Sequence, residues 1–262
     1  MSRSPEQLGP WVRRFHPAPD SRTRLVCLPH AGGSATAYFP LSKALAPHVD
    51  VLAVQYPGRQ ERRHEAPIAN LSVLADHVFA ALRPLDDLPL ALFGHSMGTL
   101  IAYEVALRFQ DAGLPGPERL FASGRRAPSR HRPDDRIDAG SDEEIVAELL
   151  KLSGTPAAHL ADPEVREMIL PALRGDYRAV QSHRWDPARM LDLPVTVLTG
   201  DTDPRVSLDE AAAWEEHTTA ATEVRVFPGG HFYLNDQNDR VAALVADRLA
   251  RRDTATLHDA RI

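Results

Sequence analysis

Cysteine is almost absent from this 262-residue chain: Cys27 is the only one, so no intramolecular disulfide can form. Nothing therefore points to an oxidising compartment. Lysine is nearly missing as well. Lys43 and Lys151 are the only two among 30 basic residues, and the rest are arginines. Any basic patch is thus an arginine patch, suited to bidentate contact with carboxylates or phosphates. Acidic residues number 36, for a net charge of −6, which argues against a nucleic-acid binder with an overall basic footprint. No run reaches the roughly 18 apolar residues of a membrane helix. The best candidate, 88–107, is interrupted by His95, Ser96 and Glu104. The first residues, Met1-Ser2-Arg3-Ser4-Pro5-Glu6, lead into no apolar signal-peptide core. These absences predict a soluble cytoplasmic protein that uses neither membrane nor nucleic acid, with a monomer as the default.

Metal and nucleotide motifs are missing too. There is no H-E-x-x-H, one cysteine precludes C-x-x-C, and no G-x-x-x-x-G-K-[ST] occurs. No metal and no cofactor are assigned. Cys27 lies inside an apolar run with no basic neighbour, which reads as a buried structural thiol.

What the chain does have is material for a core. Apolar residues make up 43% and charged residues 25%, ordinary values for a globular protein. Short apolar runs alternate with amphipathic stretches, the pattern of a mainly parallel sheet covered by helices. The runs are 25–28, 51–54, 90–93, 120–122, 195–198 and 224–227, with a possible antiparallel edge strand at 11–15. Helical patterns follow Ser96 (Leu100, Ile101, Val105, Leu107) and fill 241–249. One stretch, about 138–186, contains no convincing strand but two helix starts. Ser141-Asp142-Glu143-Glu144 reads as a capping box, and Asp162-Pro163 as a cap before a first-turn proline. The chain is expected to form one domain over 1–262, with this stretch as a helical lid inserted between two strands.

The chemistry-bearing motif is Gly94-His95-Ser96-Met97-Gly98, a G-x-S-x-G between an apolar run and a helical pattern. That context marks a nucleophile elbow, with Ser96 as nucleophile. Alone, the pattern is also found in plain Gly-Ser turns. A serine hydroxyl needs a base, and His231 follows the last run in the loop Phe227-Pro228-Gly229-Gly230-His231-Phe232. His30 and His95 read as packing or loop-shaping groups. The acid is expected after the preceding run, in Gly200-Asp201-Thr202-Asp203-Pro204. Here G-x-x-D-P favours Asp203, with Asp201 as the alternative. The order Ser96, Asp203, His231 is that of the α/β-hydrolase fold, unlike chymotrypsin or subtilisin. Two oxyanion donors are needed. They are expected from the amides of Met97 and of Ala31, in the loop His30-Ala31-Gly32-Gly33.

Several further segments then carry a family resemblance. They are Leu28-Pro29-His30-Ala31-Gly32-Gly33, Gln55-Tyr56-Pro57-Gly58-Arg59, Ser123-Gly124-Arg125-Arg126-Ala127-Pro128, Asp176-Tyr177-Arg178 and Gly230-His231-Phe232-Tyr233-Leu234. With the elbow, they resemble the type II (external) thioesterases of polyketide and nonribosomal peptide synthesis. The resemblance implies hydrolysis of short or aberrant acyl groups from the phosphopantetheine arms of acyl or peptidyl carrier proteins, an editing role in antibiotic biosynthesis. Integrated thioesterases commonly carry their acid one strand earlier; here that run ends Ala122-Ser123-Gly124-Arg125 without a carboxylate. The initial Met1 and the lack of a carrier linker agree with the external type. Carriers are usually acidic, which makes Arg59, Arg62 and Arg63, or Arg125, Arg126, Arg130 and Arg132, the candidates to meet them. Two rivals stay open: a general carboxylesterase or lipase-like hydrolase, and a non-catalytic binding protein on the same fold.

Overall fold

The computed structural model describes residues 8–130, 132, 141–152 and 162–259. The strands are β1 (Val12–Arg13), β2 (Arg24–Leu28), β3 (Asp50–Val54), β4 (Leu90–His95), β5 (Leu120–Ser123), β6 (Val195–Gly200) and β7 (Thr222–Phe227). They form one seven-stranded sheet in the order β1-β3-β2-β4-β5-β6-β7. Only the β1–β3 pair is antiparallel. Each apolar run thus becomes a strand, extended by one or two residues. The edge strand expected over 11–15 shrinks to two.

β2 through β6 are buried along their whole length, whereas β7, at the sheet edge, is half exposed. Continuous apolar strands suit a sheet covered on both faces, and their side chains alternate between two cores. Leu25 and Cys27 face one core with Phe93 and Phe121. Val26 and Leu28 face the other with Leu92 and Ala122. Helices α1 (Phe39–Leu45) and α7 (Leu234–Asp259) cover the first through Leu41, Val241 and Val245. Helices α2 (Leu71–Leu82) and α3 (Met97–Asp111) cover the second through Leu74 and Ile101. This is the α/β-hydrolase arrangement. From β2 the chain moves one way to β3, then returns past β2 to β4 and onward. The carboxyl ends of β2 and β4 therefore flank the switch point where open α/β sheets bind ligands.

Between β5 and β6 lie α4 (Asp142–Leu152) and α5 (Pro163–Ser182), and no strand interrupts the described part of this region. The expected stretch 138–186 includes 138–140 and 153–161, which fall outside the described residues. Both helix starts have the capping their sequence encodes. Glu144 N donates to Ser141 Oγ at 3.3 Å while Ser141 N donates to Glu144 Oε2 at 2.7 Å. Asp162 accepts from Glu164 N at 2.9 Å, with Pro163 first in the helix. Such caps contribute about 1 kcal/mol each. The two helices share a small core of Ile145, Val146, Leu149, Leu170 and Leu173, packed against Ala31. A short helix α6 (Leu208–Ala212) follows β6 and opens on a Ser207/Glu210 capping box. Helix α7 starts at Leu234, seven residues before its apolar period, and has a non-helical residue at Gln237. Its polar first turns carry no burial signal. They are anchored instead by Gln237 N donating to Tyr233 O at 2.9 Å.

Candidate active site

Ser96 sits between the end of β4 and the start of α3 with φ 53° and ψ −114°, left-handed backbone on a non-glycine residue. Such strain persists only where the surroundings enforce it. The glycines on either side are required by space. A Cβ on Gly98 would lie 1.9 Å from Leu28 O, and one on Gly94 would lie 2.4 Å from Thr99 N. Hydrogen bonds rivet the turn: Ser96 N donates to Ser123 O at 2.8 Å, and Thr99 Oγ1 donates to Gly94 O and Ser123 O. The start of α3 brings its amide donors and the positive end of its dipole beside the serine.

His231 and Asp203 come from the loops after β7 and β6. His231 Nδ1 lies 2.9 and 3.1 Å from the two Asp203 carboxylate oxygens, and the Asp203 side chain is fully shielded from solvent. Arg205 N donates to Asp203 Oδ1 at 2.8 Å, which further fixes the carboxylate. Asp201 does something else: its Oδ1 accepts from Gly229 N at 2.9 Å and ties the two loops together. The end of β5 carries no carboxylate, and its Ser123 and Gly124 are closely packed. Ser123 is buried there, with its hydroxyl 2.9 Å from His95 Nδ1 and 2.6 Å from Tyr233 Oη. Gly124 follows at φ +58°, and a Cβ on it would meet His95 Cε1 at 2.5 Å.

Ser96, His231, Met97 and Ala31 line one cavity of about 750 Å³, its open mouth included. Leu149 and Leu152 of α4 and Tyr177 and Val180 of α5 line it from the insertion. The loop carrying Ala31 is held by a residue whose role its sequence did not reveal. Asp176 of α5 accepts from Gly32 N at 2.7 Å and takes both arms of Arg59, at 2.7 and 2.8 Å. Arg59 also donates to Gly33 O at 3.0 Å. Asp176 is 1% and Arg59 7% exposed. The only sequence sign of this strut was the presence of both residues in motifs that carried the resemblance.

Two other imidazoles crowd His231. His30 is pushed down to about 3, chiefly by burial and then by His231 and Arg59. His95 is lowered well below its ordinary value by burial, then by His231 and His30. Both are neutral near pH 7, in keeping with packing roles. Burial alone raises the Cys27 thiol well above its usual range, so it is inert.

The arginines depart from expectation. Arg59 and Arg62 were candidates for a docking face, but both are buried. Arg62 donates to Gln55 O, pairs with Glu65 and lies over the Trp11 ring at 4.3 Å. Arg126 is also buried. Arg130 and Arg132 are exposed and paired with Glu216 and Glu210, Arg63 is exposed, and Arg125 lines the cavity. Guanidinium groups turn inward where carbonyls and carboxylates await them, and composition cannot reveal this. Among the described residues no group of His, Cys, Asp and Glu is arranged to hold a metal ion, and no helix is long and apolar enough to cross a membrane.

The chain matches the thioesterase domain family over residues 23–249. It is 48% identical to the "Probable cadicidin biosynthesis thioesterase" of Streptomyces griseus over 91% of this chain and 66% of that protein's length. It is 46% identical to "Thioesterase PikA5" of Streptomyces venezuelae over 92% of this chain and 86% of that protein. Among solved structures, the type II thioesterase BorB from the borrelidin biosynthetic cluster superposes with a TM-score of 0.85. Its identity is 49%, covering 91% of this chain and 97% of that one.

Proposed function

The chain belongs to the thioesterase family, and from that premise we propose that it hydrolyses short or aberrant acyl groups from the phosphopantetheine arms of carrier proteins. One observation carries the reading. A strained serine, an imidazole oriented by a buried carboxylate and two backbone segments meet in one cavity roofed by the inserted helices. The names of its relatives, which include a cadicidin biosynthesis thioesterase and a type II thioesterase from the yersiniabactin NRPS/PKS biosynthetic pathway, support the substrate class.

In the proposed mechanism His231 removes the Ser96 proton as the hydroxyl oxygen attacks the thioester carbonyl. The amides of Met97 and Ala31 receive the oxyanion. The tetrahedral intermediate collapses, the C–S bond breaks, and the pantetheine thiol leaves with the proton held by His231. A thiol of pKa roughly 8.5 departs far more readily than an amine, so little acid assistance is required. Water then attacks the acyl-enzyme, giving its proton to His231, and the free acid departs as Ser96 is reprotonated. Asp203 holds His231 with Nδ1–H toward the carboxylate, which leaves Nε2 as the base. Every group in this cycle is supplied by the chain, with no cofactor; the pantetheine arrives with the partner.

The deciding experiment follows release of a short acyl group from a loaded carrier protein, with a p-nitrophenyl ester alongside, for the wild type and Ser96→Ala. Carrier deacylation that vanishes in Ser96→Ala supports the reading. Ester turnover without carrier deacylation would move the function to a general esterase, and inactivity on both substrates to a binding protein.

The inserted helices act in this reading as a lid that measures the acyl chain. Leu149 and Leu152 of α4 line the cavity, and Leu149 also belongs to the small lid core. Truncating both to alanine is expected to shift preference by two to four carbons toward longer chains, read as kcat/KM across an acyl series. An unchanged profile would remove the lid from specificity.

A further inference from the structure

The segment Ser123-Gly124-Arg125-Arg126-Ala127-Pro128 follows β5 and contributes nothing to the proposed chemistry directly. Ser123 is fastened to the elbow, His95 and Tyr233, whereas Arg126 is fastened to the loop that carries Asp203. Arg126 is 4% exposed, and its Nε and Nη2 both donate to Arg205 O, at 3.2 and 2.9 Å. The same residue, Arg205, donates its own N–H to Asp203 Oδ1 at 2.8 Å. A buried guanidinium is therefore two hydrogen bonds from the carboxylate that orients His231. Nearby, Arg126 Nε lies 3.8 Å from Glu210 Oε1, and Ala127 N donates to Glu210 O at 3.1 Å. Trp214 Nε1 holds Arg125 O at 2.9 Å. The segment after β5 is thus fastened to α6 and the turn after it through Glu210 and Trp214, and to the β6–α6 loop through Arg126 on Arg205 O.

We propose that Arg126 is a positioning residue of the hydrolytic reaction: its bidentate grip on the Arg205 carbonyl sets the backbone that delivers Asp203 to His231. This rests on the triad proposed above. The physical warrant is directional. A planar guanidinium donating twice to one carbonyl restrains both the position and the orientation of that peptide group. Burying a cation is costly, which favours a site where its donors are used. Displacement of a catalytic group by about 1 Å can cost on the order of 10²-fold in rate. Arg126 also lines the cavity, so the readout that separates positioning from substrate contact is kcat, which an effect running through Asp203 lowers.

The test is a double-mutant cycle in the full chain, on a loaded carrier and on a p-nitrophenyl ester, with Arg126→Met, Arg126→Lys and Asp203→Asn. Arg126→Met is expected to lower kcat by about 10- to 100-fold with KM within twofold. Arg126→Lys, which keeps the charge and can aim an N–H at the carbonyl without the planar two-point grip, should recover only part of that loss. In the Asp203→Asn background, Arg126→Met should change kcat by less than twofold, since the carboxylate it positions is gone. Equal losses in both backgrounds would mean that Arg126 acts elsewhere, and an unchanged kcat would leave it a structural residue. Either result overturns the proposal. Should Arg126→Met fail to fold, Arg126→Lys carries the cycle, and its smaller loss must likewise vanish beside Asp203→Asn. If Asp203→Asn itself keeps the wild-type rate, the triad reading falls and this inference with it. If the carrier is not a substrate, the ester arm still tests Arg126.

Discussion

Asparagine at position 203 is expected to lower kcat by about 10⁴-fold while leaving KM within a few-fold. The carboxylate has no access to solvent, and both its oxygens face His231 Nδ1. An amide of the same shape keeps the packing but offers an NH₂ group where only acceptors stood. Turned toward Nδ1, that NH₂ favours the imidazole tautomer whose proton sits on Nε2, and the base faces Ser96 already protonated. Loss of this kind in a serine triad amounts to about 10⁴ in kcat, or about 5.4 kcal/mol of transition-state stabilisation. Steady-state hydrolysis of a loaded carrier, with circular dichroism to verify folding, measures it. Asp201→Asn provides the contrast. Asp201 only ties its loop to Gly229 N, so its rate should stay within tenfold. A reversal of the two results would assign the acid to Asp201.

The second large effect falls on stability. Asp176→Ala is expected to cost about 3–5 kcal/mol, because it strands the buried Arg59 guanidinium and removes the acceptor of Gly32 N. For a chain of this size that is a fall in Tm of roughly 10 °C, measurable by thermal melting. Asp176 also accepts from Gly32 N in the loop proposed to supply an oxyanion donor, so enzyme that remains folded is expected to lose kcat as well, by about 10-fold or more. A loss below about 1 kcal/mol would show that the strut between α5 and the Ala31 loop is dispensable. The charged pair spans 117 residues of sequence, and it links the inserted helices to the loop proposed to bind the oxyanion. Its worth lies in that linkage, since buried ion pairs add little net stability over apolar replacements.

These two residues illustrate what could and could not be read from the chain. Asp203 stands in a local pattern, G-x-x-D-P after an apolar run, and chain order placed it between Ser96 and His231. Asp176 also stands in a motif, but nothing within ten residues of it names Gly32 or Arg59 as partners. The same division holds for the arginines. Arg59, Arg62 and Arg126 look like surface cations in the sequence; Arg59 and Arg126 are drawn inward by groups remote in the chain, and Arg62 by Gln55 O and Glu65 nearby and by the remote Trp11 ring. Helix α7 begins where no apolar period exists, because its first turns are fastened to the turn around Tyr233.

The sequence by itself determined the strands, the elbow and the helix caps. The strands and caps depend on what lies within a few residues, continuous apolar runs and side chains satisfying nearby amides; the elbow is legible as a local pattern, although the room Gly98 leaves is for Leu28 O on β2. Only the tertiary structure shows that Asp201 ties its loop to Gly229, that Ser123 is locked between His95 and Tyr233, and that Asp176 and Arg126 brace the two loops of the site. Those outcomes rest on pairings between charged or polar groups tens of residues apart. A polar side chain finds its partner only after the sheet has set the distance between them, whereas an apolar run is committed to the core by its own composition.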